Sequence, residues 1–307
     1  MKIIFMGTPQ FAIPSLKAIY ESKHQLLAVV TTPDKERGRG RKITFTAVKQ
    51  FAIDNNISVY QPEKLKGNQE FAEQMKALQP DLFVVVAFRI LPREIFEIPK
   101  FCSFNLHASL LPKYRGAAPI QWALINGETE TGLTTFKLAE KVDTGNIYLK
   151  EKVPIYPEDN FGALHDRLSE LGADVVLRTI EMIESGNYQL LQQDGSLASP
   201  APKITKEICR IDWNKSAEEI HNLVRGLSPH PAAFFVMNDK TYKVYKTRLT
   251  NDNLENISFL NPGEFLETKK QIYFGTSNGI LEILEIQPEG RKRMTAEEFL
   301  RGYSLKN

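Results

Sequence analysis

Leu82-Phe83-Val84-Val85-Val86-Ala87 is a run of six apolar residues with no polar alternation. A strand wetted on one side would alternate, so this run predicts a strand covered on both faces, as in a parallel sheet between helical layers. Outward from it, residues 2–5, 26–31 and 104–106 form further short apolar runs, and residues 14–22, 47–54 and 69–78 carry helix-like apolar spacing. Strand, helix and strand in series predict right-handed crossovers and an α/β fold built on a Rossmann-like, doubly wound, mostly parallel sheet. In such sheets ligands bind at the carboxyl ends of the strands. Residues just after the apolar runs are therefore the first candidates for a site.

Residues 132–138 and 147–155 predict two further strands, and residues 160–183 a long helix. Residues 192–206 are rich in Gln, Ser, Pro and Gly and read as a linker. After them, residues 216–226 predict a helix capped by Asn214 or Ser216, and residues 234–237, 240–250, 271–274 and 280–287 predict short strands. Short strands with few helices over such a span predict a small β-barrel, OB-like in type. The expected division is a domain over residues 1–190, a linker over 191–208 and the OB-like domain over 209–307.

The 307 residues are 42% hydrophobic and 25% charged, an ordinary globular composition. No apolar run approaches the roughly 20 residues that cross a bilayer. Met1-Lys2-Ile3-Ile4-Phe5 reads as a strand rather than a signal peptide, so a cytoplasmic protein without membrane attachment is expected. Cys102 and Cys209 are too few for a disulfide framework or a zinc cluster, and no His or carboxylate spacing suits a metal. A net charge of +2 excludes a chain that coats nucleic acid by bulk charge, and leaves room for a local patch. The densest patch is Lys35-Glu36-Arg37-Gly38-Arg39-Gly40-Arg41-Lys42, with five positive charges in eight residues. Its glycines disfavour helix and strand, and alone it reads as a solvated loop.

In Phe104-Asn105-Leu106-His107, Asn105 and His107 stand two apart on a strand and share one face at its carboxyl end. An Asn amide can donate to an oxyanion and a neutral imidazole can accept a proton near neutral pH. Acyl transfer needs both roles, although the spacing alone also fits a satisfied turn or core pair. Asp143, in Lys141-Val142-Asp143-Thr144-Gly145, either orients that imidazole as the acid of a triad does or makes a local Asx-turn. Gly7-Thr8-Pro9-Gln10-Phe11 reads as a tight strand-to-helix turn with Thr8 as cap and Pro9 as first helical residue. Its spacing is not that of a dinucleotide loop.

The next stretch, Ser109-Leu110-Leu111-Pro112-Lys113-Tyr114-Arg115-Gly116, closely resembles the signature of the folate-dependent formyltransferases. Gly116-Ala117-Ala118-Pro119-Ile120-Gln121 resembles the branch of that family that acts on methionyl-tRNA. The resemblance continues through residues 5–12, Thr32-Pro33-Asp34, Val142-Asp143-Thr144-Gly145 and Ile211-Asp212-Trp213, and so spans both expected domains. It implies formyl transfer from 10-formyltetrahydrofolate to the α-amino group of methionine on initiator tRNA. Asn105, His107 and Asp143 match the family's catalytic constellation, and an amine nucleophile needs no covalent enzyme intermediate.

The resemblance further implies folate contacts from Phe88, Arg89, Ile90 and Leu91 and from Ser109, Leu110, Leu111 and Pro112. Residues 84–92 are one residue shorter than the family pattern and carry Phe88-Arg89 in place of Tyr-Gly. Phe11 would lie near the formyl and methionyl groups. The basic loop would meet the tRNA acceptor end, with Arg39 matching a functional arginine beside Arg37, Arg41 and Lys42. Lys243, Lys246 and Arg248 either line one face of the barrel as a continuing positive track or are scattered solubility charges. A monomer is expected. Two competing readings are formyl transfer to an amino sugar or nucleotide-linked amine, and an RNA-binding module whose α/β domain has decayed. The presence of all three catalytic residues at matching positions argues against the second.

Overall fold

A computed structural model describes residues 1–37, 42–250 and 260–306, with the backbone alone at 35–37 and 42–43. The chain forms two compact units. The first comprises Met1–Gly116, Thr131–Pro154 and His165–Pro200, and the second Ala117–Glu130, Ile155–Leu164 and Ala201 onward.

The chain runs through β1 (Lys2–Gly7), α1 (Ile13–Tyr20), β2 (Gln25–Val30), β3 (Lys35–Arg37), β4 (Lys42–Thr44), α2 (Ala47–Asp54), β5 (Val59–Tyr60) and α3 (Gln69–Ala77). It continues through β6 (Leu82–Val86), α4 (Arg93–Phe96), β7 (Cys102–His107), β8 (Arg115–Gly116), α5 (Pro119–Ile125), β9 (Glu130–Lys137), β10 (Ile147–Pro154) and α6 (Phe161–Ser185). The main sheet has strand order β10-β9-β7-β6-β1-β2-β5. β1, β2, β5, β6 and β7 pair in parallel, and β9 runs antiparallel to β7. The expected doubly wound α/β sheet is therefore present. Winding reverses between β1 and β6, which opens a crevice at their carboxyl ends.

The run that predicts the fold is β6, buried along its whole length. Phe83 and Val85 face a cluster with Phe71 and Met75 of α3 and Ile95 and Phe96 of α4. Leu82, Val84 and Val86 fall on the opposite face, which accounts for the missing polar alternation. The Thr46 hydroxyl caps α2 and the Asn68 side chain caps α3.

Two local expectations are corrected. Thr8 caps nothing: its hydroxyl is buried with no partner among the described residues, and a 3-10 turn, Gln10–Ala12, precedes α1. α1 starts at Ile13 because Pro14, preset for a first helical turn, sits there at no cost in hydrogen bonds. The flanks of the basic stretch are strands, β3 paired antiparallel with β4, because the glycines are confined to its middle and Ile43 and Thr44 favour extended backbone.

β11 (Pro200–Ala201) follows and pairs with β8, and the second unit then runs through α7 (Ala217–Leu227), β12 (Ala233–Met237), β13 (Lys240–Leu249), β14 (Phe265–Glu267), β15 (Ile272–Gly275), β16 (Ile280–Pro288), β17 (Met294–Thr295) and α8 (Ala296–Leu300). Its antiparallel sheet has the order β12-β13-β16-β15-β14, with β17 beside β16. Register breaks between Val244 and Thr247 bend β13, so the OB-like domain takes the form of a curled half-barrel. Ile220, Val224 and Leu227 of α7 pack into its core with Val244, Phe274 and Ile283. Trp213 anchors this packing, stacked on Phe274 with ring centroids 4.1 Å apart. Of the two candidate caps, Ser216 serves, in a reciprocal capping box with Glu219.

Candidate active site

β7 carries Asn105 and His107 to the carboxyl edge of the parallel sheet. Asn105 is half-buried, and among the described residues its side-chain amide makes no hydrogen bond. His107 is only 6% exposed, and its Nε2 lies 2.8 Å from the Tyr114 carbonyl oxygen. A carbonyl can only accept, so Nε2 carries a proton and the lone pair of the neutral ring is on Nδ1. Nδ1 lies 3.8 Å from Asp143 Oδ2. A positive charge formed on this ring therefore sits between a carbonyl dipole and a carboxylate.

Asp143 stands in the loop between β9 and β10 at φ +54°, a left-handed conformation that Asp tolerates. Its carboxylate reaches out of its own turn and accepts the Gly116 N–H at 2.9 Å. The loop that supplies Tyr114 and Gly116 is itself fixed at several points. Thr134 Oγ1 donates to the Ser109 carbonyl at 2.6 Å and accepts from the Leu111 N–H at 3.2 Å. Ser109 Oγ donates to the Lys113 carbonyl, and Leu111 is buried with Phe136 and Ile147. Ser109 and Leu111 thus shape the loop, while Leu110 and Pro112 are half-buried on it.

Phe11 is buried, edge-on to the His165 ring of α6 at 5.2 Å, and its carbonyl accepts from Ser169 Oγ at 2.9 Å. Gly7 is required at the end of β1, since a Cβ there would meet the Phe5 ring at 2.8 Å and Ala12 Cβ at 2.9 Å. At the end of β6, Ala87 turns left-handed at φ +48°. It is followed by half-buried Phe88 and Arg89, exposed Ile90 and buried Leu91. Arg89 gives its two Nη groups to the carbonyls of Pro62 and Glu63 at 2.7 and 2.9 Å. Burial lowers its pKa, and its Nε is buried without a partner among the described residues. The shorter loop is thus tied down by an arginine that grips backbone. Arg37 ends β3 and Lys42 begins β4; Arg39 and Arg41 lie outside the described residues. Just before β3, Asp34 pairs with Lys49 and accepts from Gln61 Nε2 at 2.9 Å, which lowers the Asp34 pKa, chiefly through Lys49.

Residues 1–180 match the family model described as formyl transferase, and residues 203–304 match that of the formyl transferase C-terminal domain. The chain belongs to the formyl transferase family. It is 45% identical over 310 residues to a methionyl-tRNA formyltransferase of Flavobacterium johnsoniae, covering 99% of this chain and 97% of that one. A methionyl-tRNA formyltransferase of Thermodesulfovibrio yellowstonii is 46% identical over 304 residues, at 99% and 96% coverage. Among solved structures, an N-formyltransferase from Helicobacter canadensis shares the fold, with TM-score 0.70 and 23% identity over 96% of this chain and all of that one. The methionyl-tRNA formyltransferase from Clostridium thermocellum does so at TM-score 0.56 and 20% identity, covering 81% of this chain and 94% of that one.

In the formyl transferase C-terminal domain, Lys243 donates to the Pro231 carbonyl at 3.4 Å, and Lys246 lies 4.0 Å from Glu158. Arg248 is paired with buried Glu282 through Nε and Nη2 at 2.8 and 2.6 Å. Arg293 lies over the Tyr245 ring at 4.5 Å, an aromatic-cation pair. Among the described residues no cluster of three or more His, Cys, Asp or Glu suits a metal, and no helix is long and apolar enough to cross a membrane. Cys102 is buried at the start of β7 and accepts from the Tyr148 hydroxyl at 3.2 Å, away from the site.

Sequence reasoning missed Thr134, His165, Gln193 and Ser199. Ser199 accepts from the Tyr114 N–H through Oγ and from the Arg115 N–H through its carbonyl, both at 2.9 Å. Gln193 bonds to Arg115, Asp143 and Gly145. Both lie in the stretch whose composition reads as a linker. The regular 2-residue period that exposes Asn105 and His107 has no counterpart in such a segment.

Proposed function

We propose that this chain transfers the formyl group of a folate-type donor, 10-formyltetrahydrofolate, to the α-amino group of methionine on initiator tRNA, acting as a monomer in the cytoplasm. Near-full-length identity to methionyl-tRNA formyltransferases supports the substrates. The observation that carries the chemistry is the His107 ring held between the Tyr114 carbonyl and the Asp143 carboxylate, two residues beyond an Asn amide with no partner among the described residues.

The donor supplies the formyl carbon and leaves as tetrahydrofolate. As the neutral amine attacks that carbon, Asn105 Nδ2–H donates to the oxygen that becomes an oxyanion. His107 takes the proton shed by the amine at Nδ1, since Nε2 is already protonated toward Tyr114, and returns it to the departing nitrogen. The Asp143 carboxylate holds the imidazolium by charge, its own position fixed by the Gly116 N–H. The turn after β6, with Phe88 half-buried and Ile90 exposed, offers apolar surface that suits a flat heterocycle.

The deciding assay follows labelled formyl from 10-formyltetrahydrofolate into acid-precipitable methionyl-tRNA. Wild-type chain transfers label, while His107→Ala and Asp143→Asn lose most of it and remain folded. Arg39→Ala lowers formylation of the tRNA with little change in unfolding temperature. Label found on a sugar amine instead, or full activity in His107→Ala, overturns the reading.

A further inference from the structure

We propose that Gln193 is a positioning residue for Asp143, with Arg115 fixing the direction in which the Gln193 amide points. The proposal rests on the reading of Asp143 as the carboxylate behind His107. Gln193 Nε2 donates to the carbonyl oxygens of Asp143 and Gly145 at 2.9 and 2.8 Å. Its Oε1 accepts from Arg115 Nε and Nη2 at 3.2 and 2.7 Å. The next residue after Arg115, Gly116, gives its N–H to Asp143 Oδ2. These bonds close a ring: Asp143 main chain, Gln193 amide, Arg115 side chain, Gly116 N–H, Asp143 carboxylate.

The chemistry of the partners leaves one orientation. A guanidinium only donates and a carbonyl only accepts, so the amide oxygen must face Arg115 and the amide nitrogen the two carbonyls. Glutamine is the side chain that can do both at this reach. The ring matters because Asp143 sits at φ +54° in a loop whose neighbour Val142 is exposed. A left-handed residue persists where surrounding bonds over-determine it, and here two of those bonds come from Gln193. Gln193 is in turn anchored, since Leu191 exchanges both backbone hydrogen bonds with Ile147 at 2.8 and 2.9 Å, and Ser199 holds Tyr114 and Arg115. Loss of the amide frees the turn, and the carboxylate drifts from the 3.8 Å it keeps to His107 Nδ1.

The test is a double-mutant cycle on the full chain, reading kcat and KM for both substrates. Gln193→Ala is expected to lower kcat by roughly 10- to 100-fold with KM changed less than about threefold, the signature of misplacement rather than lost binding. Gln193→Glu keeps an acceptor for Arg115 and sets a carboxylate against two carbonyls, so it is expected to be as impaired as Gln193→Ala. In an Asp143→Asn background, Gln193→Ala is expected to cost almost nothing further. Gln193 is half-buried at the surface, so these variants fold, which thermal unfolding checks. An equal loss from Gln193→Ala in both backgrounds, wild-type kcat in Gln193→Glu, or a loss confined to KM overturns the proposal. If Asp143→Asn alone keeps wild-type kcat, it is the reading of Asp143 that fails, and the cycle separates the two.

Discussion

At the scale of single residues, the site depends on which nitrogen of His107 is already occupied. The Tyr114 carbonyl fixes Nε2 as a donor, so in the proposed reaction proton exchange falls to Nδ1, the atom that looks toward Asp143. In the proposed reaction Asn105 has the simpler duty of meeting a charge that exists only on the way to products. Asn105→Ala is therefore expected to reduce kcat by about 10²- to 10³-fold, roughly 2.7–4 kcal/mol, with little effect on folding. Steady-state formylation of methionyl-tRNA measures this, and a tenfold or smaller loss would remove Asn105 from the oxyanion role. Asn105 and His107 were legible because a strand's period of two puts them on one face. Asp143 was legible as a residue, through its resemblance to the family, but its geometry was not. Its carboxylate accepts from Gly116, a partner that no local turn rule supplies. Gln193 was illegible, since a Gln in a polar, Pro- and Ser-containing stretch carries no periodic signal at all.

At the scale of elements, long periodic segments were readable and short ones were not. β6, α2, α3 and α6 follow from apolar spacing, whereas β5, β8 and β11 have two residues each and exist because a neighbouring strand pairs with them. α7 illustrates how an element can be tuned by pH. His221 on this helix bonds to Thr247 of β13 through Nδ1 at 2.9 Å, and burial, then nearby Arg225, lowers its pKa from 6.5. A lowered folded pKa means that the unfolded chain takes up the proton first. The stabilisation is whole above the unfolded pKa near 6.5 and is lost as pH falls below it toward the folded value. Calorimetry of the full chain at pH 7.5 and pH 5.5 is expected to show a larger fall in the unfolding temperature of the C-terminal unit for wild type than for His221→Gln. Equal falls would show that His221 does not carry the effect.

At the scale of the whole molecule, a net charge of +2 looked unfavourable for an RNA partner. The number hides a distribution: the basic stretch at 35–42 is concentrated, while Arg248 and Arg293 are already matched by Glu282 and Glu285. Gripping one end of one RNA requires a patch, not a high total. The expected result is that KM for methionyl-tRNA rises with salt while KM for the folate donor stays flat. Removing the charge of Arg39 should reduce the log–log slope by about 0.7–0.9, as one lost phosphate contact does. A salt response shared equally by both substrates would contradict an electrostatic grip on the RNA. The sequence pointed to consecutive segments, 1–190 and 209–307, whereas the two compact units share the chain in alternating stretches, which depends on which helix α5 packs against.

That sharing has a consequence for how the molecule is made. α5 belongs with α7, where Gly226 is needed because a Cβ would meet Ile125 Cγ1 at 2.7 Å and the Gln121 carbonyl at 3.1 Å. About a hundred residues separate the two helices, so at 5–20 residues per second α5 waits roughly 5–20 s for its partner to leave the ribosome. Ile125, which packs against the α7 cluster in the finished fold, lacks that cover for the interval. The nascent chain thus carries α5 without its partner helix for a set stretch of synthesis, which ends only when α7 emerges.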